Sequence, residues 1–174
     1  GNIIPIFEKC IAKYKSVAAT TGNRNMWLYP KPDDFGVWYN PAGTSRGKWG
    51  YNLVVTPILY WGKDPRAGKG STASSCWGKS DSVADIKKFH PCPKPLVFMK
   101  WFVEKCSMEG ETVLDPFMGS GTTAVACIAQ GRKFTGIEID PDYFDFSCRR
   151  IEEAYKQPDL FIEPTIKPIQ EKLI

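Results

Sequence analysis

Nine consecutive residues, Asp115-Pro116-Phe117-Met118-Gly119-Ser120-Gly121-Thr122-Thr123, have the types and spacing that chemistry on a bound small molecule requires. The β-rich run Thr112 to Leu114 follows a turn-like Glu109-Gly110 and predicts a short buried strand. Asp115 then falls at the strand's carboxyl end, on the rim where open α/β sheets bind ligands. Gly119 and Gly121 allow a sharp turn and a close backbone approach. The helical pattern from Thr122 to Gln130 would aim backbone amides and the positive end of a helix dipole at that ligand. Spacing alone leaves two ligand classes open. A phosphate-cradling loop needs a Lys after the glycines, and Thr122 stands there instead. A dinucleotide fingerprint, G-x-G-x-x-G/A, fits Gly119, Gly121 and Ala124, with the acidic Glu138 19 positions after Gly119.

Three stretches taken together carry a third class. Asp115 to Thr123 resembles motif I of the DNA amino-methyltransferases, which use S-adenosylmethionine (SAM) to modify exocyclic amino groups of adenine or cytosine. His90-Pro91-Cys92-Pro93-Lys94-Pro95-Leu96 is similar to the family's motif X, usually H-P-x-x-K-P. Phe134-Thr135-Gly136-Ile137-Glu138-Ile139-Asp140, followed by Tyr143, resembles its motif II. The resemblance covers nearly all of the chain. It implies an α/β fold of the Rossmann-like SAM-dependent methyltransferase type, with SAM as cofactor and double-stranded DNA as partner. The implied setting is the cytoplasm, in a restriction-modification system or a phage.

The resemblance also implies roles. Asp115 would accept from the cofactor's ammonium group. Amides near Gly119 to Thr122 would hold its carboxylate, with the hydroxyls of Ser120 and Thr122 as further donors. Glu138 would take the ribose diol, and Ile139 or Pro141 would wall the adenine. Pro116 belongs to the motif; Phe117 would pack under the methionine chain or simply belong to the core. His90, Pro91, Lys94 and Pro95 would cover the methionine end. Cys92-Pro93 replaces the family's usual Thr-Gln, which preserves the backbone path but changes those two side chains.

The family's catalytic motif, [D/S/N]-P-P-[Y/F/W], positions a flipped-out base in line with the methyl group. It does not occur in this sequence; Tyr29-Pro30-Lys31-Pro32 and Tyr39-Asn40-Pro41-Ala42 hold only pieces of it. No catalytic residue is therefore assigned. The chain resembles the C-terminal part of a β-type enzyme, and the expectation is that a segment bearing the catalytic strand is absent. That strand would lie between the Val113 and Ser16 strands of a doubly wound sheet. Without it the sheet is incomplete, and two strands expose unpaired backbone groups. The gap would be closed by direct packing, by a homo-oligomer or by a partner segment. Two other readings stay open: a non-catalytic SAM- or DNA-binding module acting with a partner chain, and an NAD-binding Rossmann protein.

The elements that must position these residues follow from pattern. The resemblance makes residues 1–157 the C-terminal part of a methyltransferase domain, and 158–174 read as a tail broken by Pro158, Pro164 and Pro168. Asn2 to Lys15 predicts an amphipathic helix starting near Ile4, because Pro5 fits only a first turn. Ser16 to Thr21 predicts a buried strand. Trp27 to Gly50, rich in Pro, Gly and aromatics, reads as a long ordered loop with short strand pieces, whose aromatics could stack a base beside Arg24, Arg46 and Lys48 or form a small core of their own. Asn52 to Trp61 predicts a strand with a bulge or break at Pro57. The stretch 62–89 is polar and rich in Gly and Ser; the resemblance implies a short target-recognition loop there, and composition alone a solvated loop. Leu96 to Lys105 predicts a helix with Leu96, Val97, Met99, Phe102 and Val103 inward. Phe134 to Ile139 predicts a strand, and Asp140-Pro141 starts a final helix running to about Lys156.

Composition is that of a globular chain: 174 residues, 43% hydrophobic, 24% charged. No apolar run approaches the roughly 18 residues of a membrane span. The net charge of +4 permits DNA binding without requiring it. Six cysteines with no C-x-x-C pair, and one His, give no expectation of a metal site. Cys106 and Cys127 fall in apolar helical patterns, as free buried thiols in a reducing compartment would.

Overall fold

The computed structural model describes residues 3–22, 25–40, 54–69, 76–78 and 84–156. Their order is α1 (Ile4–Lys13), β1 (Ser16–Thr20), β2 (Asp34–Tyr39), β3 (Val55–Gly62), β4 (Cys76–Trp77), α2 (Ala84–Lys87), α3 (Leu96–Cys106), β5 (Thr112–Asp115), α4 (Thr122–Ile128), β6 (Lys133–Gly136) and α5 (Pro141–Lys156). A 3₁₀ turn lies at Met26–Leu28. Arg24, Arg46, Lys48, Trp49, part of 62–89 and the 158–174 tail lie outside the described residues.

The strands form two sheets. One has the order β1-β3-β2-β4, with β3 antiparallel to β1 and β2, and β4 parallel to β2. The other is the parallel pair β5-β6, joined through α4 as expected for a βαβ unit. Helix α3 ties the sheets together. Its Phe98, Met99 and Val103 meet Trp38 and Ile58 of the first sheet and Ala126 and Cys127 of α4, while Val113 and Phe134 of the second sheet pack on the same cluster. The other face of the first sheet is closed by α1: Phe7 packs with Leu59 and Trp61. Tyr29 adds an edge-on contact to Phe7 at 5.1 Å.

Among the described residues, no strand pairs with the outer edge of β1 or of β5. Lys63 donates to Lys15 O and Thr21 to Pro57 O, so alternate residues Lys15 to Thr21 face β3. By antiparallel alternation the backbone groups of Ser16, Ala18 and Thr20 point the other way. Lys133 donates to Glu111 O and Ile137 to Asp115 O, which turns Thr112 and Leu114 outward on β5.

Asp34–Tyr39 is one of the strand pieces expected in the aromatic-rich stretch, six residues long and inside the sheet. Gly36 and adjacent aromatics obscure its period in the sequence, but Trp38 is buried and stacks on Phe98 at 4.4 Å. Four other expectations need correction. Pro57 does not break β3, whose pairing with β2 runs unbroken from Tyr60 to Val55. A strand residue's N and O point to the same side, and Pro57 O accepts from Thr21, so its missing donor faces the end of β1. Phe98, left out of the expected inward face of α3, is its most buried residue, because sheet and helix enclose α3 from two sides. Finally, α1 stops at Lys13, where Tyr14 turns extended, and β6 stops at Gly136 rather than Ile139.

The ends of α4 and α5 follow their sequence signals. Gly131 takes φ +69, Arg132 N donates to Cys127 O at 2.9 Å and Gly131 N to Ile128 O at 3.3 Å, the paired bonds of a Schellman stop. Asp140 Oδ1 accepts from the amides of Asp142 at 3.0 Å and Tyr143 at 3.1 Å, with Pro141 at the first helical position.

Candidate functional site

β5 ends at Asp115, and the chain then turns through Pro116 to Gly121 into α4. Gly119 has φ +50 and Gly121 φ +72, both in the left-handed region that glycine alone adopts at low cost. Neighbours also require glycine. A Cβ on Gly119 would lie 2.8 Å from His90 Nε2, and one on Gly121 would lie 2.9 Å from Ser147 Cβ. The first contact brings the His90–Pro95 stretch against the turn; the second seats α5 behind it.

Two carboxylates brace the turn. Asp115 Oδ1 accepts from Phe117 N at 3.0 Å and Oδ2 from Thr123 Oγ1 at 2.6 Å. An ionised carboxylate has about four acceptor sites, so Asp115 keeps capacity for a ligand's donors. Glu138 Oε2 accepts from Gly119 N at 2.8 Å, and Oε1 accepts from Ile139 N at 2.9 Å and Asp140 N at 3.0 Å. Glu138 thus stands beside the turn, as the motif comparison expects, and is itself part of the turn's framework. Gly121 N is used internally by Met118 O at 2.8 Å. Of the amides expected to hold a carboxylate, those of Ser120 and Thr122 are left without an acceptor among the described residues.

The Ser120 and Thr122 hydroxyls lie 3.2 Å apart, and both residues are buried. Phe117, Ile137 and Ile139 are exposed apolar side chains near the turn; Ile139 is 97% exposed. Pro93 and Pro95 are buried, and Pro91 is exposed. Lys94 Nζ lies 4.0 Å from Cys92 Sγ. His90 Nδ1 accepts from Cys92 N at 3.2 Å, which assigns the proton of the neutral ring to Nε2, the atom facing Gly119. Its ring meets Tyr143 at 4.8 Å. Burial lowers the His90 pKa below 6.5; Glu138 opposes that and Lys94 adds to it.

The structure therefore brings His90, Asp115, Gly119, Ser120, Gly121, Thr122 and Glu138 together. It also reveals Arg150, which the sequence reading did not single out. From α5 its Nη1 donates to Ser120 O and to Thr122 Oγ1, the latter at 3.3 Å. No local motif signals a contact spanning 28 residues. A cleft of about 270 Å³ lies elsewhere, between the start of β1, the end of β3 and the last turn of α3, and contains none of the expected site residues. Among the described residues no group of three or more His, Cys, Asp or Glu is placed to hold a metal ion, and no helix is long and apolar enough to cross a membrane.

A family model described as DNA methylase, of the N6/N4 type, matches residues 6–149. The chain belongs to the DNA methylase family. The DNA adenine methyltransferase YhdJ of Escherichia coli (strain K12) is 46% identical over 72 residues, 41% of this chain and 24% of that protein. The type II methyltransferase M.BglI of Bacillus subtilis is 42% identical over 66 residues, 38% of this chain and 19% of its own length. The matches thus span about a quarter or less of these relatives. The crystal structure of an M1.HpyAVI–SAM complex aligns with a TM-score of 0.58 and 25% identity, covering 86% of this chain and 69% of that one. The cytosine-N4-specific PvuII DNA methyltransferase, at 17% identity and TM-score 0.52, shares the fold. The fold is the Rossmann-like methyltransferase fold with a partial sheet, as the methylase motifs imply.

Proposed function

We propose that the glycine turn, with Glu138 and the His90 stretch, binds SAM, and that the chain is the cofactor-binding part of a DNA methyltransferase acting on an exocyclic amino group of adenine or cytosine. The observation that carries this is the bond from Gly119 N to Glu138, which couples the glycine turn to the acidic residue of the next strand. The Ser120 and Thr122 amides fit the group's carboxylate, and the exposed Ile137 and Ile139 fit its adenine end. When bound, SAM supplies an electrophilic methyl on a sulfonium. The chain's own part is to hold it: Asp115 takes the ammonium, Ser120 and Thr122 the carboxylate, Glu138 the ribose diol, and Phe117 flanks the methionine chain. Pro116, Pro91, Lys94 and Pro95 shape the path of the two covering segments.

The chain alone is expected not to transfer a methyl group. It lacks the side-chain oxygen, the two prolines and the aromatic that hold a target base. The outer edges of β1 and β5, unpaired among the described residues, favour a second element of the reading: an extended segment, covalently continuous or from a partner, pairs with both and brings the catalytic motif. Residues 1–157 then form one domain with that segment. Incubation with labelled SAM and duplex DNA, with and without a segment carrying the motif, tests this. Label in DNA only when the segment is present supports the reading; label transferred by the chain alone contradicts it.

A further inference from the structure

We propose that Arg150 is a positioning residue for the carboxylate end of the bound cofactor. This deepens the SAM reading and rests on it. Arg150 lies about one helical turn after Ser147 on α5, and Ser147 is fully buried against Gly121. That seating brings the guanidinium to the inner side of the glycine turn, where it lies 5.8 Å from the centre of the Phe146 ring.

One of its two contacts holds an end of the peptide between Ser120 and Gly121. The 120–121 peptide donates through Gly121 N to Met118 O at 2.8 Å, and its carbonyl, Ser120 O, accepts from Arg150. A peptide unit is planar, so pinning both ends sets its orientation. The flanking amides of Ser120 and Thr122 are then set with it. The contact to Thr122 Oγ1 occupies an acceptor site of that hydroxyl and leaves its proton for Ser120 Oγ or a ligand.

The charge has a second consequence. Asp115 and Glu138 place two negative groups beside this turn. An anionic ligand end enters such a site only if the field there is offset. Arg150 supplies a permanent, half-buried cation, bonded to the carbonyl that would otherwise repel a carboxylate.

The test compares two ligands in one protein. S-adenosylhomocysteine has the amino-acid end, whereas 5′-methylthioadenosine keeps adenine and ribose but has no carboxylate. With the 174-residue chain, Arg150→Gln is expected to weaken S-adenosylhomocysteine by about tenfold or more, the range for a lost bond to a charged group, and 5′-methylthioadenosine by less than about threefold. Arg150→Lys keeps the charge with fewer directed donors and is expected to fall between. Equal losses of both ligands in either variant, or no loss of S-adenosylhomocysteine, overturn the assignment. If Arg150→Gln gives no cooperative melt, the Arg150→Lys ratio decides. Failure of the unsubstituted chain to bind S-adenosylhomocysteine overturns the cofactor reading itself, a result separate from either variant's ratio.

Discussion

The amide of Gly119 and the carboxylate of Glu138, 19 residues apart, are joined by a hydrogen bond of 2.8 Å. One end of that bond lies in the glycine turn after β5 and the other just beyond β6. It ties together the segments that follow two neighbouring strands. Because the same carboxylate also accepts from Ile139 and Asp140, it holds the start of the segment that caps α5.

Glu138→Gln tests this brace. An amide side chain has one oxygen, so it cannot accept all three bonds; at least one backbone donor loses its charged partner. SAM affinity measured by calorimetry is expected to fall by about tenfold or more, with a drop in stability of about 1–3 kcal/mol. A variant with unchanged affinity and melting temperature would count against the bond as part of the site.

Gly119→Ala places a Cβ 2.8 Å from His90 Nε2 at a φ of +50. The strain of a non-glycine residue there is about 1–3 kcal/mol, and the His90 ring must also shift. Cofactor binding is expected to suffer more than folding, since the displaced ring covers the turn. Equal SAM affinity in the variant and the parent would remove His90 from the site.

At Gly121 the obstacle is identified. An added Cβ meets Ser147 Cβ at 2.9 Å, on a helix with no room to move, since Ser147 is fully buried. Gly121→Ala is expected to destabilise the chain by about 1–3 kcal/mol, read from chemical denaturation. Ser147→Gly in the same protein should return part of that loss, leaving the backbone strain. Strict additivity of the two changes would contradict the contact.

His90 gives a pH dependence with a definite sign. Its pKa is lowered in the fold, so the unfolded chain binds the proton more tightly and stability falls as pH drops through the window below 6.5. The contribution is fully present above the unfolded value. As the chain's single histidine, it gives one imidazole signal by NMR, and His90→Gln should remove the corresponding slope from a plot of melting temperature against pH. A titration midpoint above 6.5 would reverse the sign and the account.

Local signals in the sequence proved readable where the physics is local. Asp140-Pro141 announces the start of α5, because the cap is made by the residue itself and its next few amides. Gly131 announces the end of α4 for the same reason. The glycines of the turn mark a backbone that needs φ above zero. Less legible are features decided by tertiary neighbours. Phe98 is core because α3 is enclosed on two sides, which no single helical face reveals. Trp38 belongs to a central strand, which its surroundings, read as a loop with short strand pieces, do not locate. Pro57 sits in a strand because its missing donor falls where β1 has run out. Arg150 reaches the turn only after α5 has packed, and nothing in the spacing of its neighbours marks it.

The most direct measurement is a thermal melt of the purified chain alone, with SAM, with S-adenosylhomocysteine and with NAD. Ligand at about 100 times its dissociation constant should add roughly 2.7 kcal/mol. For a chain of this size that is a rise of roughly 5–10 °C. The account predicts such a rise with SAM and S-adenosylhomocysteine and none with NAD. A rise with NAD alone, or a cooperative melt unmoved by either SAM or S-adenosylhomocysteine, would contradict the claim that the turn at Gly119 is a methyl-donor site.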